Sequence, residues 1–462
     1  MEDENTFRST ERVRRRIDEL AAFASHLDYS TVPPGIRAQL TPMLTDLLGV
    51  VVAGMRTPEM RALLEVWEAP VGNCPVLGTA LRTTPEESAY LEAVAACVLE
   101  LDEGNKYAAG HPAAHVVFAA LASACSARRP VTGKQLLTAV VAGYEVAARF
   151  GRATRRHPNW HTHGHWGATG AAAASALVMD CDTPQVAAAI DAATGLMHVT
   201  PWSTVLSGSF TRNLWMAGAN TAGLHAARLA KGRLVTNTGQ AQHSLGTIVG
   251  TLETATLAEG LGSTWLAAGG YLKQHASCSY THAAVDIVQA LRFSHPWQPQ
   301  AVRQVRVTIH SLAEPLLGRH PANRLAAMFS LPFVVSNAVV NGSIDPSTME
   351  PGSAAFLAAE EFSNRVEVEI SERLDDELPG RRCTEVVVEL EDGTILGLGQ
   401  PNPIGDADHY PLNADQVRSK LGGLVGPETT EALWAWTELL AGVSSVSSAV
   451  VELGEVMARV HA

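Results

Sequence analysis

The chain has 462 residues, 46% of them hydrophobic and 18% charged, a globular composition able to bury a large core in two or three domains. Its 34 Lys and Arg against 47 Asp and Glu leave a formal charge of −13. That excludes general nucleic-acid binding, which needs a basic surface to displace counterions, but allows a local cationic pocket for a small anion. Six cysteines with no CxxC or repeated spacing argue against a disulfide framework or zinc ribbon and read as reduced thiols. No apolar run reaches the ~18 residues of a membrane span. The opening MEDENTFRSTERVRRR lacks the apolar core of a signal peptide, so a cytoplasmic location is expected.

In chain order, the first 270 residues read as helix after helix. Apolar spacing predicts helices over 40–54, over 132–151 with Thr132 as N-cap, over 167–179 and over 216–230. The last two are rich in small residues, which lets helices approach closely. The texture then changes. VRQVRVTIHS (302–311), RVEVEIS (365–371) and TEVVVELEDGTILGLG (384–399) alternate as half-buried strands do, and EDG marks a hairpin turn. Residues 324–342 read as one helix, and the chain turns helical again after 403. The expected architecture is mainly α: a discontinuous helical domain, 1–270 and 403–462, with an inserted α+β lid domain, 271–402.

Three segments carry chemistry-bearing residues. LELDEGNKYAAGHPAAH (99–115) sets Asp102, Glu103, Lys106, His111 and His115 among helix breakers, as an interhelical loop would. NWHTHGHWGATGAA (159–172) alternates His161, His163 and His165 between two tryptophans. On a strand that alternation would put three imidazoles on one face, as metal ligands often are, and a metal-dependent hydrolase is one reading of it. The glycines suggest instead a loop feeding a helix N-terminus. GGYLKQHASCSYTHAAVD (269–286) places Lys273, His275, Cys278 and His282 at the seam where the helical part ends, a favoured place for a cleft. A fourth segment, SGSFTRNLWMAGANTAGLHAARLAKG (207–232), holds Arg212 with little acid nearby in sequence, so a ligand carboxylate is its expected partner.

In this order the segments resemble the MmgE/PrpD family of lyases and isomerases, which includes 2-methylcitrate dehydratases, cis-aconitate decarboxylases and iminodisuccinate epimerases. The likeness runs through LDEGNKYAAGHPAAHVVFAALA, TGKQLLTAVVAGYEVAARFG, WHTHGHWGATGAAAA, TRNLWMAGANTAGLHAARLA and YLKQHASCSYTHAAVD. It implies a cofactor-free, metal-free homodimer acting on a small di- or tricarboxylate, with no nucleic-acid or membrane partner. The first reaction implied is that of a 2-methylcitrate dehydratase-like hydro-lyase, with decarboxylation and epimerisation as alternatives. It also implies catalytic roles for Asp102, His111, His161 and Lys273, and substrate contacts from Arg212, Lys106, His163, Cys278 and His282. Arg212 and Cys278 stand where decarboxylase-like members carry lysine and histidine. Lys106 stands at a position often held by threonine, and Phe333 where tyrosine is expected. Such chemistry needs cations on the carboxylates, a base near the carbon and an acid for the leaving group.

Overall fold

The computed structural model describes residues 2–460. The protein is mainly helical, with one four-stranded sheet in the C-terminal half and three short two-stranded pairings elsewhere among the described residues. The helix Pro34–Met55 runs through the centre, with every residue from Leu44 to Met55 buried. It is long and apolar enough to pass for a membrane span by length and composition alone, which the sequence reading did not anticipate. Here it is a core helix, packed on Pro85–Val98 and on the C-terminal helices Ala414–Val425 and Pro427–Leu439. The chain's last third thereby returns to the body formed by its first.

The helix Gly133–Ala153 starts where the sequence indicates: Thr132 accepts the Gln135 N–H and Gln135 answers with a reciprocal bond to Thr132. Such a cap is worth about 1 kcal/mol. This helix lies against Gly167–Val178 at backbone contact. A Cβ on Gly143 would stand 2.7 Å from the Gly170 carbonyl oxygen, and one on Gly170 2.3 Å from that of Gly143. The small residues therefore set the interhelical distance. Thr211–Lys231 covers the other side of Gly167–Val178.

The sheet orders its strands Ile395–Gln400, Thr384–Leu390, Val302–Ile309 and Val366–Ile370, antiparallel except for the last pair. All four strands match the alternating segments. Val305, Val307, Ile309, Val386 and Val388 are fully buried. The helix His282–Ser294 packs on two of the strands. The hairpin turns at Gly393, whose φ of +88° suits glycine, and Asp392 accepts the Thr394 N–H. One expectation is corrected. Residues 324–342 form two helices, Arg324–Met328 and Leu331–Asn341, because Ser330 caps a new start ahead of Pro332. The C-terminal helices begin at Ala414, within the expected LNADQVRSKLGG segment and behind the Asn413 cap.

Two of the short pairings position functional residues. Gly104–Asn105 pairs with Gly270–Tyr271, which brings the loop after Leu99 against the segment containing Lys273. Thr154–Arg156 pairs with Gly250–Leu252, which fixes the backbone of Arg156.

Candidate active site

The helix Pro85–Val98 ends at Leu99, and Glu100 follows with φ +52°, a left-handed conformation costly for a side chain that is not glycine. This turn sends the next residues inward: Glu100, Asp102 and Glu103 are all buried. Glu103 serves the fold. It accepts the Tyr144 hydroxyl at 2.5 Å and the Ala113 N–H at 3.0 Å, at the start of the helix Pro112–Cys125, and burial pushes its carboxyl up to about 8. His111 precedes that helix. Its Nδ1 lies 2.7 Å from the Glu103 carbonyl oxygen and 3.1 Å from Asp102 Oδ2.

Residues 161–166 form a turn rather than a strand, with Gly164 at φ +86°. The loop reading holds, and the single face of three imidazoles that a strand would have given is not formed. His165 donates Nε2–H to the His161 carbonyl at 2.7 Å. His163 Nε2 accepts from Arg212 Nη2 at 3.5 Å, a cation where a metal ligand would need a metal. Among the described residues, no group of three His, Cys, Asp or Glu side chains converges as a ligand set. His161 lies edge-on to Trp202, with ring centres 4.7 Å apart, and its Nδ1 accepts the His163 N–H at 3.3 Å.

Arg212 is wholly buried and, contrary to the sequence reading, has an acid. It pairs with Glu100, the residue turned inward by the positive φ, and also donates to the Cys97 carbonyl at 2.9 Å. Lys273 Nζ lies 3.1 Å from Glu100 and 3.4 Å from Asp102. Glu100, Asp102, Lys273 and Arg212 thus form one buried network of two anions and two cations.

The network opens on a narrow cavity. Glu100, His111, His161, Arg212, Lys273 and Cys278 all line it, with Trp202, Phe329, Tyr271 and Tyr280 as an aromatic wall. Two further cations reach it, Arg156 and Arg382. Asp102 lies behind His111 and Lys273. Other expected contacts fall elsewhere. Lys106 points away, with Nζ 2.9 Å from Asp406, 2.8 Å from Asp408 and 2.8 Å from the Gly380 carbonyl. His282 donates to the Ser277 carbonyl at 3.0 Å, behind Cys278. His163 braces Arg212 without lining the cavity. Phe333 packs on Phe356, ring centres 4.6 Å apart, in the core.

The electrostatics follow from burial and neighbours. Burial, then the charges of Arg212 and Arg156, hold His161 well below the ordinary histidine range, so its ring is neutral. Burial raises Asp102, but His111 and Lys273 outweigh it and keep the carboxylate ionised. Burial likewise works against the Lys273 ammonium, and Glu100 and Asp102 more than restore its charge. The Cys278 thiol is pushed up to about 11 by burial and then by Glu100, so it is no ready nucleophile.

A family model described as the MmgE/PrpD N-terminal domain matches residues 18–248, and one described as the MmgE/PrpD C-terminal domain matches residues 275–433. The chain belongs to the MmgE/PrpD family. Among curated MmgE/PrpD-like relatives, a cis-aconitate decarboxylase of Aspergillus terreus is 22% identical over 451 residues, 90% of each chain. A cis-aconitate decarboxylase-like protein, oryM, of Aspergillus oryzae is 24% identical over 442 residues, 87% of this chain and 89% of the relative. Both support an enzyme of the MmgE/PrpD family.

Sequence reasoning missed Glu100, Arg156, Tyr271, Tyr280 and Arg382. Glu100 had a local signal, its place at the head of the acidic LELDEG stretch, and Tyr271 and Tyr280 lie inside the GGYLKQHASCSYTHAAVD segment. Arg156 and Arg382 stand outside the quoted segments and reach the cavity through the tertiary fold.

Proposed function

We propose that this protein is a lyase acting on a small di- or tricarboxylate, and that its reaction is a 2-methylcitrate dehydratase-like loss of water beside a carboxylate. The observation that carries the reading is the opposite hydrogen-bonding state of two imidazoles in one cationic cavity. A carbonyl oxygen only accepts, so the proton of neutral His111 belongs on Nδ1, facing the Glu103 carbonyl, and Nε2 keeps its lone pair. His161 is the reverse: Nδ1 accepts a backbone N–H, so its proton belongs on Nε2.

His111 Nε2 is then the base, oriented by Glu103 and Asp102. His161 Nε2–H and the Lys273 ammonium are donors for the negative charge that builds on a substrate oxygen. His111 takes the proton from the carbon beside the carboxylate. The C–H electron pair becomes the double bond and the C–O bond breaks. His111 passes its proton to the departing hydroxide, giving one unsaturated acid and one water. In this reading residues 271–402 act as the lid, carrying Lys273, Cys278 and Arg382 to the histidines of the helical body.

Decarboxylation is the second reading, favoured by the names of the fungal relatives. There a C–C bond breaks, carbon dioxide leaves, and a protonated His111 supplies the new C–H proton. The two readings need opposite starting states of His111. Proton NMR in heavy water with 2-methylcitrate, citrate, cis-aconitate and iminodisuccinate tests both and detects silent proton exchange in the same spectra. Water loss from 2-methylcitrate or citrate supports the first reading. Decarboxylation of cis-aconitate without dehydration replaces it with the second, and inertness toward all four acids overturns both.

A further inference from the structure

We propose that Arg156 and Arg382 are the carboxylate clamp of this site, one guanidinium for each of two carboxylates away from the reacting carbon. The inference rests on the proposed polycarboxylate chemistry and assigns two of the carboxylates to residues. Arg212 was the obvious candidate in sequence, but its charge is answered by Glu100. Lys273 is answered by Glu100 and Asp102, with one N–H left for a ligand. The floor of the cavity is therefore already neutralised.

The other two cations are not. Arg382 is 4% exposed, yet among the described residues it makes no ion pair, and its Nε has no hydrogen-bond partner. Its Nη1 reaches the Ser279 hydroxyl at 3.3 Å, its guanidinium lies 5.5 Å from the Tyr271 ring centre and 5.3 Å from that of Tyr280, and those two tyrosines and the more distant Asp406 favour its charge against the cost of burial. Arg156 is half-buried, its Nε is likewise without a partner, and it too makes no ion pair among the described residues. A buried, unanswered charge is costly to maintain without a ligand. Each backbone is held: Arg156 by pairing with Gly250, and Arg382 by donating its N–H to Asn402 Oδ1 at 3.0 Å. Fixed guanidinium forks suit two-point binding of carboxylates, and the tyrosine rings against Arg382 offer an apolar surface to a short carbon skeleton.

Tricarballylate, which has three carboxylates and no hydroxyl to lose, tests this by titration calorimetry against glutarate, which has two. The wild-type protein is expected to bind tricarballylate more tightly. Arg156→Met and Arg382→Met should each weaken tricarballylate by roughly 30-fold or more and erase its advantage over glutarate. Neither should lower the melting temperature, because each removes an unanswered charge. Wild-type-like binding by either variant, or no preference for tricarballylate in the wild type, overturns the clamp and leaves the lyase reading standing. Failure of the wild type to bind either acid overturns the polycarboxylate reading itself. An Arg382→Met chain that does not fold assigns Arg382 to the fold and overturns its half of the clamp. Arg156 has an independent check in the wild type. Tricarballylate should suppress its modification by phenylglyoxal, and equal labelling with and without the acid overturns its role.

Discussion

Glu100 and Arg212 form a closed ion pair beneath the cavity, although 112 residues separate them in the chain. The pair exists because Glu100 adopts a left-handed backbone conformation at the end of a helix, which turns its carboxylate toward the helix bearing Arg212. Removing the acid leaves Arg212 buried without an answering charge. Glu100→Gln should therefore destabilise the protein by about 3–5 kcal/mol, measured by urea denaturation. A loss under about 1 kcal/mol would show that the pair contributes little beyond an exposed one.

The two cavity histidines are expected to fail differently. His111→Gln removes the base and should lower kcat by roughly 10²–10⁴-fold. His161→Gln removes a donor to developing charge and should lower kcat by about 10²–10³-fold, with substrate binding retained. His163→Gln, which only loosens Arg212, should do much less. A metal-dependent hydrolase built on HTHGH would behave otherwise: His161→Gln and His163→Gln would be equally damaging and both would release metal, so metal content is measured alongside turnover.

Lys106 offers a test of position. Its ammonium joins Asp406, Asp408 and the Gly380 carbonyl, away from the cavity. Lys106→Met should cost about 3–5 kcal/mol of stability while KM stays unchanged. A raised KM with unchanged melting temperature would restore it to the substrate site.

Acid should destabilise the fold early. Burial is the leading cause that holds His115 and His310 down to about 4, His165 to about 3, and His161, His163 and His282 well below the ordinary range. Between those values and ~6.5 the unfolded chain binds protons that the folded chain refuses, so stability falls as pH falls through that window. Asp46, Glu92, Glu103 and Glu145, raised by burial, act in the opposite sense because their folded forms hold protons longer. With His198, also lowered chiefly by burial, seven groups oppose four, so the melting temperature should drop steadily from pH 6.5 to pH 5. A flat or rising profile would mean that several of these histidines are charged in the folded state.

The strands after residue 300 were legible because each alternates in isolation, and Thr132 because a capping box is local. The histidines, Lys273 and Cys278 were legible as chemistry-bearing residues at loops and seams. The pairing of Arg212 was not, since it depends on a backbone angle at Glu100 that no side-chain pattern announces. Arg382 sits in LPGRRC, where it reads as surface charge, and the direction of Lys106 was hidden because its acids come 300 residues later.

That last separation bears on how the protein comes into being on the ribosome. The loop leading to His111 contains Lys106, and its counter-charges are Asp406 and Asp408, near the end of the chain. A nascent chain that has emerged only as far as the sheet would hold the histidines and all three cavity arginines but no acid for this ammonium. This loop of the cavity thus reaches its final setting late in synthesis. A chain cut short before residue 406 should retain much of its helical body and lack a settled active site.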